Sequence, residues 1–501
     1  MDVRPLLYPD CQSFTKFAGI NLTRLFSFFK VNNPYRLVVV FLLALAFKLP
    51  CLLSGCAYFD MTHWLLIGEA MGKGMLYRDI IDPLAPLAAL VYRLVYLVAG
   101  RSMATLHILG LLVLCWQAVV FNGMAMRNKI YTQNTYLPAL VYVLLGSVHY
   151  SMAVFSPVQL GLTFVLLAFD KLLSHVEFRA KRDEQIMSIG LLLGLATLFY
   201  VPFILLLPIV LLILAFFTST MPRRYVVLAI SALIPPVLTF LYYWLRQDSA
   251  YFVLHHLVQP SLAFSLRQAN HTMGQAGLFA LPLALWLLGL LTMPRQRRLN
   301  NYQRRLAALF LFTGLLTLPL YLFLQQADTT TLLLLLLPVA AFSTVHLFFL
   351  LTRPLADWLY SLLVLAALLF VHLDSAFGRW GYLPSVEQKV EVEPALADLL
   401  RGRRILLLGD ERPLYAYGSL GSGFYYWPVA AYWFADPNDP QRLLYIKRQT
   451  ERFRPQVVLD YTHKWRPVTE RIPAIGQAYR QVGPFIWLRK ENQPLSLPPD
   501  E

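Results

Sequence analysis

The stretch "YFDMTHWLLIGEAMGKGMLYRDIIDPLAPL", residues 58 to 87, sets Asp60 and the Asp79/Asp82 pair into an otherwise strongly apolar chain. A carboxylate at the edge of an apolar environment is partly desolvated. That raises its pKa toward the range where it can take a proton from a hydroxyl near neutral pH. Asp60, Asp79 and Asp82 are therefore the candidate catalytic residues. Arg78, Arg93, Arg246 and Arg267 suit a phosphate, because a guanidinium presents two aligned N–H donors to its oxygens. His255 and His256 complete the candidate substrate-binding set. Adjacent helical residues point about 100° apart, which makes them a poor metal pair and better surface or acceptor-site residues. Plainer roles stand beside these: Asp60 as the N-cap of a helix starting at Met61, and Asp82 as the cap of a helix whose first turn holds Pro83. Arg93 could be an interfacial cation whose stem snorkels, and Glu69 faces headgroups or solvent.

The elements that position these residues are mostly membrane spans. The 501 residues are 57% hydrophobic and 14% charged, far more apolar than a soluble domain. Apolar runs recur at about 37–55, 103–125, 135–154, 156–173, 186–201, 203–218, 225–245, 277–294, 305–325, 330–351 and 355–373, each near the length that crosses a ~30 Å hydrocarbon core. After residue 373 the texture changes to frequent charges and strand-length runs, "RILLLGD", "QVVLD" and "FIWLRK". The fold class is thus a polytopic α-helical membrane protein of about eleven spans with a small C-terminal α/β domain. Its expected parts are a cytoplasmic N-terminal segment, 1–35, a transmembrane domain, 36–373, and a water-soluble domain, 374–501. The tail holds 17 Lys and Arg against 15 Asp and Glu, so nearly all of the net +15 lies in the membrane part. It reports topology and lipid contact, and nucleic acid is not implied.

Residues 83–100, "PLAPLAALVYRLVYLVAG", test the topology. If this segment spans, with Arg93 at its centre, "RNK" (127–129), "KRDE" (181–184) and "PRQRRLNNYQRR" (294–305) all face away from the cytoplasm. If it lies on the outer surface, these segments join the basic N-terminus inside, and loops 56–102 and 246–276 face outward with the tail. The second arrangement is the one adopted. Residues 13–30 suit an amphipathic helix on the cytoplasmic leaflet. Cys11, Cys51, Cys56 and Cys115 have no metal or disulfide spacing and read as packing residues. "GSLGSG" (418–423) reads as a loop and "FYYWPVAAYWF" (424–434) as an aromatic core that could also meet sugar rings or membrane. No removable signal peptide, P-loop, nucleophile elbow, zinc motif or internal repeat is found.

An Asp just after the first span, a short helix, the "G-x-x-Y-x-D" turn at Gly74–Asp79 and the "D-P-L-A-P-L" at Asp82–Leu87 together resemble the integral-membrane glycosyltransferases of the GT-C fold. The nearest likeness is to the branch of protein O-mannosyltransferases and lipid A aminoarabinose transferases. "GLLLGLATLFYVP" (190–202) resembles that family's mid-chain Gly-rich span, and the tail its outward α/β domain. The resemblance implies transfer of a sugar from a polyprenyl-phosphate donor to a glycan, lipid or protein acceptor on the extracytoplasmic face of a bacterial inner membrane, in cell-envelope biosynthesis. It implies that Asp60 is the base or orients the acceptor; Met61 stands where the commonest form has Glu, and Asp82-Pro83-Leu84 replaces Lys-Pro-Pro-Leu. The first-loop acids leave a divalent metal open. A polysaccharide transporter or flippase and an inactive scaffold are the competing readings; a transporter would show two related halves with broken, charged segments at mid-membrane, and none is visible.

Overall fold

The structure, a computed structural model, describes residues 25–54, 59–147, 152, 154–178, 183–218, 221–258, 300–323, 394–409, 414–415 and 417–490, with short stretches between 284 and 365. The expected spans at 277–294, 330–351 and 355–373 are therefore covered only at scattered positions. The chain runs through helices α1 (Leu25–Lys30), α2 (Arg36–Ser54), α3 (Phe59–Ala70), α4 (Pro86–Ala99), α5 (Met103–Arg127), α6 (Leu137–Ser147), α7 (Pro157–Phe178) and α8 (Asp183–Thr197). A 3-10 turn, Val201–Leu205, leads into α9 (Leu206–Phe217), followed by α10 (Pro222–Leu245), α11 (Ser249–Phe252) with a π-helical turn Val253–Val258, and α12 (Asn301–Phe323). Among the described residues Met103–Arg127, Pro157–Val176 and Pro222–Leu245 are long and apolar enough to cross a membrane.

The contacts sort the helix ends into two groups. At one end, Phe29 O accepts from Tyr136 N, Tyr302 Oη donates to Asn128 O, and Asn128 and Arg127 both bond Asp170. Ser27 meets Asp357 and Arg224 meets Asp183 by the same kind of pairing. The chain thus enters α2 and leaves α5 at a common end. Helix α4 is short: its fourteen residues rise only about 21 Å. It buries Ala88, Ala89, Tyr92 and Val95 and turns Leu94, Leu97 and Val98 outward. Pro86 opens it at the first position, with Ala85 at the cap. The helix start expected at Pro83 is therefore displaced by three residues, and Asp82 instead receives Leu84 N at 2.8 Å in an Asx turn.

Close approach of spans depends on small residues, since lipid tails offer no hydrophobic drive for helix association. In α8 a Cβ on Gly190 would lie 2.6 Å from Leu228 O, and one on Gly194 would lie 2.8 Å from the Pro235 ring, both in α10.

The tail adds α13 (Pro394–Leu400), β1 (Arg404–Leu408), β2 (Ser419–Leu420), α14 (Trp427–Ala430), α15 (Pro440–Phe453), β3 (Val457–Asp460), α16 (Trp465–Arg471), α17 (Pro473–Ala478), β4 (Tyr479–Gln481) and β5 (Ile486–Arg489). The sheet order is β2-β1-β3-β5-β4, parallel across β2, β1 and β3 and antiparallel beyond. The three apolar runs read as strands are β1, β3 and β5. "GSLGSG" is more than the expected loop, because Ser419 and Leu420 pair with Arg404 and Ile405. Phe424, Tyr425, Trp433 and Phe434 are buried, so the aromatic segment is core.

Replacing Gly194 by Leu should separate α8 from α10 and destabilise the bundle by roughly 1–3 kcal/mol or more. Thermal unfolding of the detergent-solubilised protein would measure it, with Leu192→Ala, at a partly buried position on the same helix, as a milder control.

Candidate active site

The site is built on the knot of residues 75 to 84. Asp79 Oδ2 accepts from Met75 N at 2.7 Å, Tyr77 N donates to Ile80 O at 2.8 Å, and Tyr77 Oη donates to Leu84 O at 2.7 Å. Tyr77 has φ 70, a left-handed conformation that is costly for a bulky residue and persists only where its surroundings over-determine it. Here they do. Tyr77 is fully buried against Tyr243, Phe252 and His256.

Helix α15 grips the knot from the tail. Asp439 caps its start by accepting from Gln441 N, with Pro440 next. The spacing i, i+4, i+7 brings three residues to one face. Tyr445 and Gln449 both donate to Arg78 O, and Arg452 donates to Asp79 Oδ1 at 2.6 Å. Beside them Ile81 N donates to Gly423 O at 2.8 Å, and a Cβ on Gly423 would collide with Asp79 O. Asp79, a candidate reacting acid, thus has both carboxylate oxygens engaged in holding the turn.

His255 and His256 are not the surface residues expected: both are buried and bonded within the protein. Trp433 Nε1–H, which can only donate, points at His255 Nε2 at 3.0 Å, so the proton sits on Nδ1 and is given to Tyr77 O. Tyr77 Oη has given its hydrogen to Leu84, so His256 Nδ1 carries its own and donates to Pro83 O at 3.1 Å. Burial lowers each histidine's pKa to about 4, against the partial opposition of those carbonyls. Both are neutral at pH 7.

Residue 60 lies in the first turn of α3, and its side chain is outside the described residues. Met61, in the place of the family's Glu, packs with Leu65, Ala88 and Tyr92 in an apolar cluster. Three positions after Asp60, His63 faces Asp82, with Nε2 2.9 Å from Oδ2. This is an ion-pair distance, but the oxygen receives no hydrogen bond, so the N–H is turned off its axis. Glu69, expected at headgroups or solvent, is buried and paired with Arg101 and Lys73. Burial alone would raise its pKa, but Arg101 and Lys73 outweigh that and hold it below the usual range. Arg101 also donates to Gly418 O in the tail.

Of the candidate cations, Arg78 is exposed and 3.5 Å from Asp248, and Arg93 donates to Gly68 O. Arg246 lies over the Tyr242 ring and has no carboxylate partner among the described residues. Arg267 lies outside them. No three His, Cys, Asp or Glu among the described residues gather as metal ligands. Sequence reasoning missed His63, Arg101, Arg452 and Trp433. Only His63, one helical turn beyond Asp60 in "DMTH", carried a local signal.

With this geometry, the chain is similar among solved structures to ArnT from Cupriavidus metallidurans, crystallised bound to undecaprenyl phosphate. The match has a TM-score of 0.54 over 93% of this chain and 100% of that one, at 12% identity. The chain shares its GT-C fold. The Archaeoglobus fulgidus oligosaccharyltransferase, crystallised tethered with an acceptor peptide containing the NVT sequon, aligns over 92% of this chain and 74% of its own, with 10% identity and a TM-score of 0.45. No family model and no curated protein matches the sequence.

The histidines give a pH dependence. Below its ordinary pKa near 6.5 a freed histidine binds a proton that the docked one refuses down to about 4. Docking of the tail on the knot should therefore be fully stable above pH 7 and lose on the order of 3 kcal/mol through His255, the histidine that bonds Trp433, as pH falls from 6.5 to 4. Hydrogen exchange at Ile81 N and Trp433 Nε1 across that window would report it. Asp79→Ala should loosen the same contact at pH 7 by roughly 1–3 kcal/mol, discounted because Arg452 is half-exposed.

Proposed function

We propose that this protein is a membrane glycosyltransferase that moves a sugar from a polyprenyl-phosphate donor to a hydroxyl of a glycan, lipid or protein acceptor during cell-envelope biosynthesis. The observation that carries this reading is the fold shared with ArnT over nearly the whole chain, ArnT having been crystallised with undecaprenyl phosphate. The first-loop acids at one end of the bundle support it.

We assign that end to the extracytoplasmic side of a bacterial inner membrane. Lys30, Arg127, Lys129, Arg223, Arg224, Arg304 and Arg305 belong to the opposite end, as the positive-inside rule asks of cytoplasmic segments. Asp60 orients the acceptor hydroxyl. Arg246 and Arg78 take the donor phosphate, with Arg267 from the second loop as a third cation. The acceptor oxygen bonds to the anomeric carbon as that carbon's bond to the phosphate oxygen breaks. The electron pair leaves on polyprenyl phosphate and the sugar carbon inverts. Charge grows on the leaving phosphate, so cations there stabilise the transition state more than the ground state.

Purified protein in proteoliposomes, given undecaprenyl-phosphate-linked radiolabelled sugars and deletion-strain membranes as acceptor, should transfer label. Asp60→Asn should lower the rate by about 100-fold through lost orientation of the hydroxyl, and Arg246→Ala should chiefly raise the KM for donor. Identical envelope glycans and lipids in wild-type and deletion strains, with no transfer in vitro, would reject the reading.

A further inference from the structure

We propose that His63, backed by Asp82, takes the acceptor's proton; this step rests on the glycosyl-transfer reading above. Asp82 is 0% exposed and His63 only 7%. Asp82 Oδ1 is occupied by Leu84 N, while Oδ2 has no hydrogen bond among the described residues and lies 2.9 Å from His63 Nε2. A fully buried carboxylate needs a cation or a full set of donors. Among the described residues its ion-pair partner is His63, and no Arg or Lys reaches it. The neighbouring His256 is held neutral by burial. The buried carboxylate stands 2.9 Å from the ring, the arrangement in which a fixed carboxylate stabilises an imidazolium formed during reaction.

The other ring nitrogen is the reactive one. Nδ1 of His63 makes no hydrogen bond among the described residues, so its lone pair is uncommitted when Nε2 carries the proton beside Asp82. Tyr425 and Tyr426 from the tail flank the ring at 4.9 and 5.9 Å and fix its plane. Among the described residues, the titratable and charged groups around it are these. Asp82 faces it from the knot, with Tyr77 and His256 behind, and Tyr425 and Tyr426 face it from the tail. On the neighbouring helices Arg93 and Arg101 are held at Gly68 O and Glu69, more than a turn further along α3.

The step balances. The acceptor O–H proton passes to Nδ1, the oxygen's pair forms the bond to the anomeric carbon, and the anomeric carbon–phosphate oxygen bond breaks with its pair on the phosphate. The imidazolium then returns its proton to water. Asp60, one turn earlier, orients the hydroxyl and does not keep its proton.

The test compares kcat against pH for sugar transfer from undecaprenyl-phosphate-linked substrates by wild type, His63→Gln and Asp82→Asn, with undecaprenyl phosphate binding and thermal unfolding measured in parallel. In His63→Gln, kcat should fall about 100-fold with donor binding kept, and the acid limb of the profile should vanish. In Asp82→Asn kcat should fall about 10-fold with donor binding kept, because the imidazolium formed in the transition state has lost its counterion. Wild-type rate and an intact acid limb in His63→Gln would overturn the assignment and return the proton to Asp60. Should His63→Gln fail to fold, a wild-type kcat in Asp82→Asn would overturn it equally. Wild-type protein that transfers no sugar from any such donor overturns the glycosyl-transfer reading and the proton assignment with it.

Discussion

The loop end of the molecule depends on one backbone contact, where Gly423 of the tail lies against Asp79 and Ile81 of the first loop. Ile81 N–H is satisfied by Gly423 O, and the Gly423 Cα comes so near Asp79 O that no side chain fits between them. With that approach fixed, the register of α15 follows, since Tyr445, Gln449 and Arg452 must reach the same turn. His255 follows as well, because it spans from Tyr77 O to Trp433 and so ties the second loop to both partners.

Magnitudes decide what holds this contact and what only aligns it. Arg452 is half-exposed, and an ion pair in that setting contributes about 1 kcal/mol or less after screening. The aromatic groups are worth more. Tyr425, Trp433 and Tyr445 are nearly or fully buried at this junction, at roughly 1.5–3 kcal/mol for each such side chain. Apolar burial therefore supplies the adhesion, and the polar bonds select one register among the many that a greasy surface would allow. The left-handed Tyr77 is stabilised in the same way, enclosed by Tyr243, Phe252 and His256.

Much of this was legible in the chain. The spans at 36–54, 103–127, 157–178 and 222–245 announce themselves by length and hydropathy, and β1, β3 and β5 by short apolar runs ending in charge or turn residues. The expectation that 83–100 lies on the surface came from where the basic segments fall, and the helix found there runs only from Pro86 to Ala99. What stayed hidden was partnership across hundreds of residues. Nothing near Asp79 announces Arg452, and nothing near "HH" announces that a tail tryptophan fixes the tautomer of His255. Burial misled in the same direction: Glu69 and the two histidines look like surface residues in the sequence, yet Arg101 and Lys73 enclose the first, Trp433 meets His255 and the knot encloses His256. Local rules also lost to tertiary packing at Pro83, where the helix waits for Pro86, and at Ser419–Leu420, where neighbouring glycines let a strand approach β1.

The distribution of cations sorts the acids into different chemical roles. Asp79 faces Arg452, Glu69 faces Arg101 and Lys73, and Asp248 faces Arg78. Glu69 is held below the usual carboxylate range by Arg101 and Lys73, and all three acids are paired within the protein. Asp82 alone of the described acids at the knot faces an imidazole, the side chain that can gain or lose a proton near neutrality. The same sorting applies to the cations. Arg101 and Arg452 are spent on the tail contact, whereas Arg246 has an aromatic ring beneath it and no carboxylate beside it among the described residues. The proposed proton acceptor is thus set apart from these pairs, since His63 meets a carboxylate that no Arg or Lys among the described residues reaches.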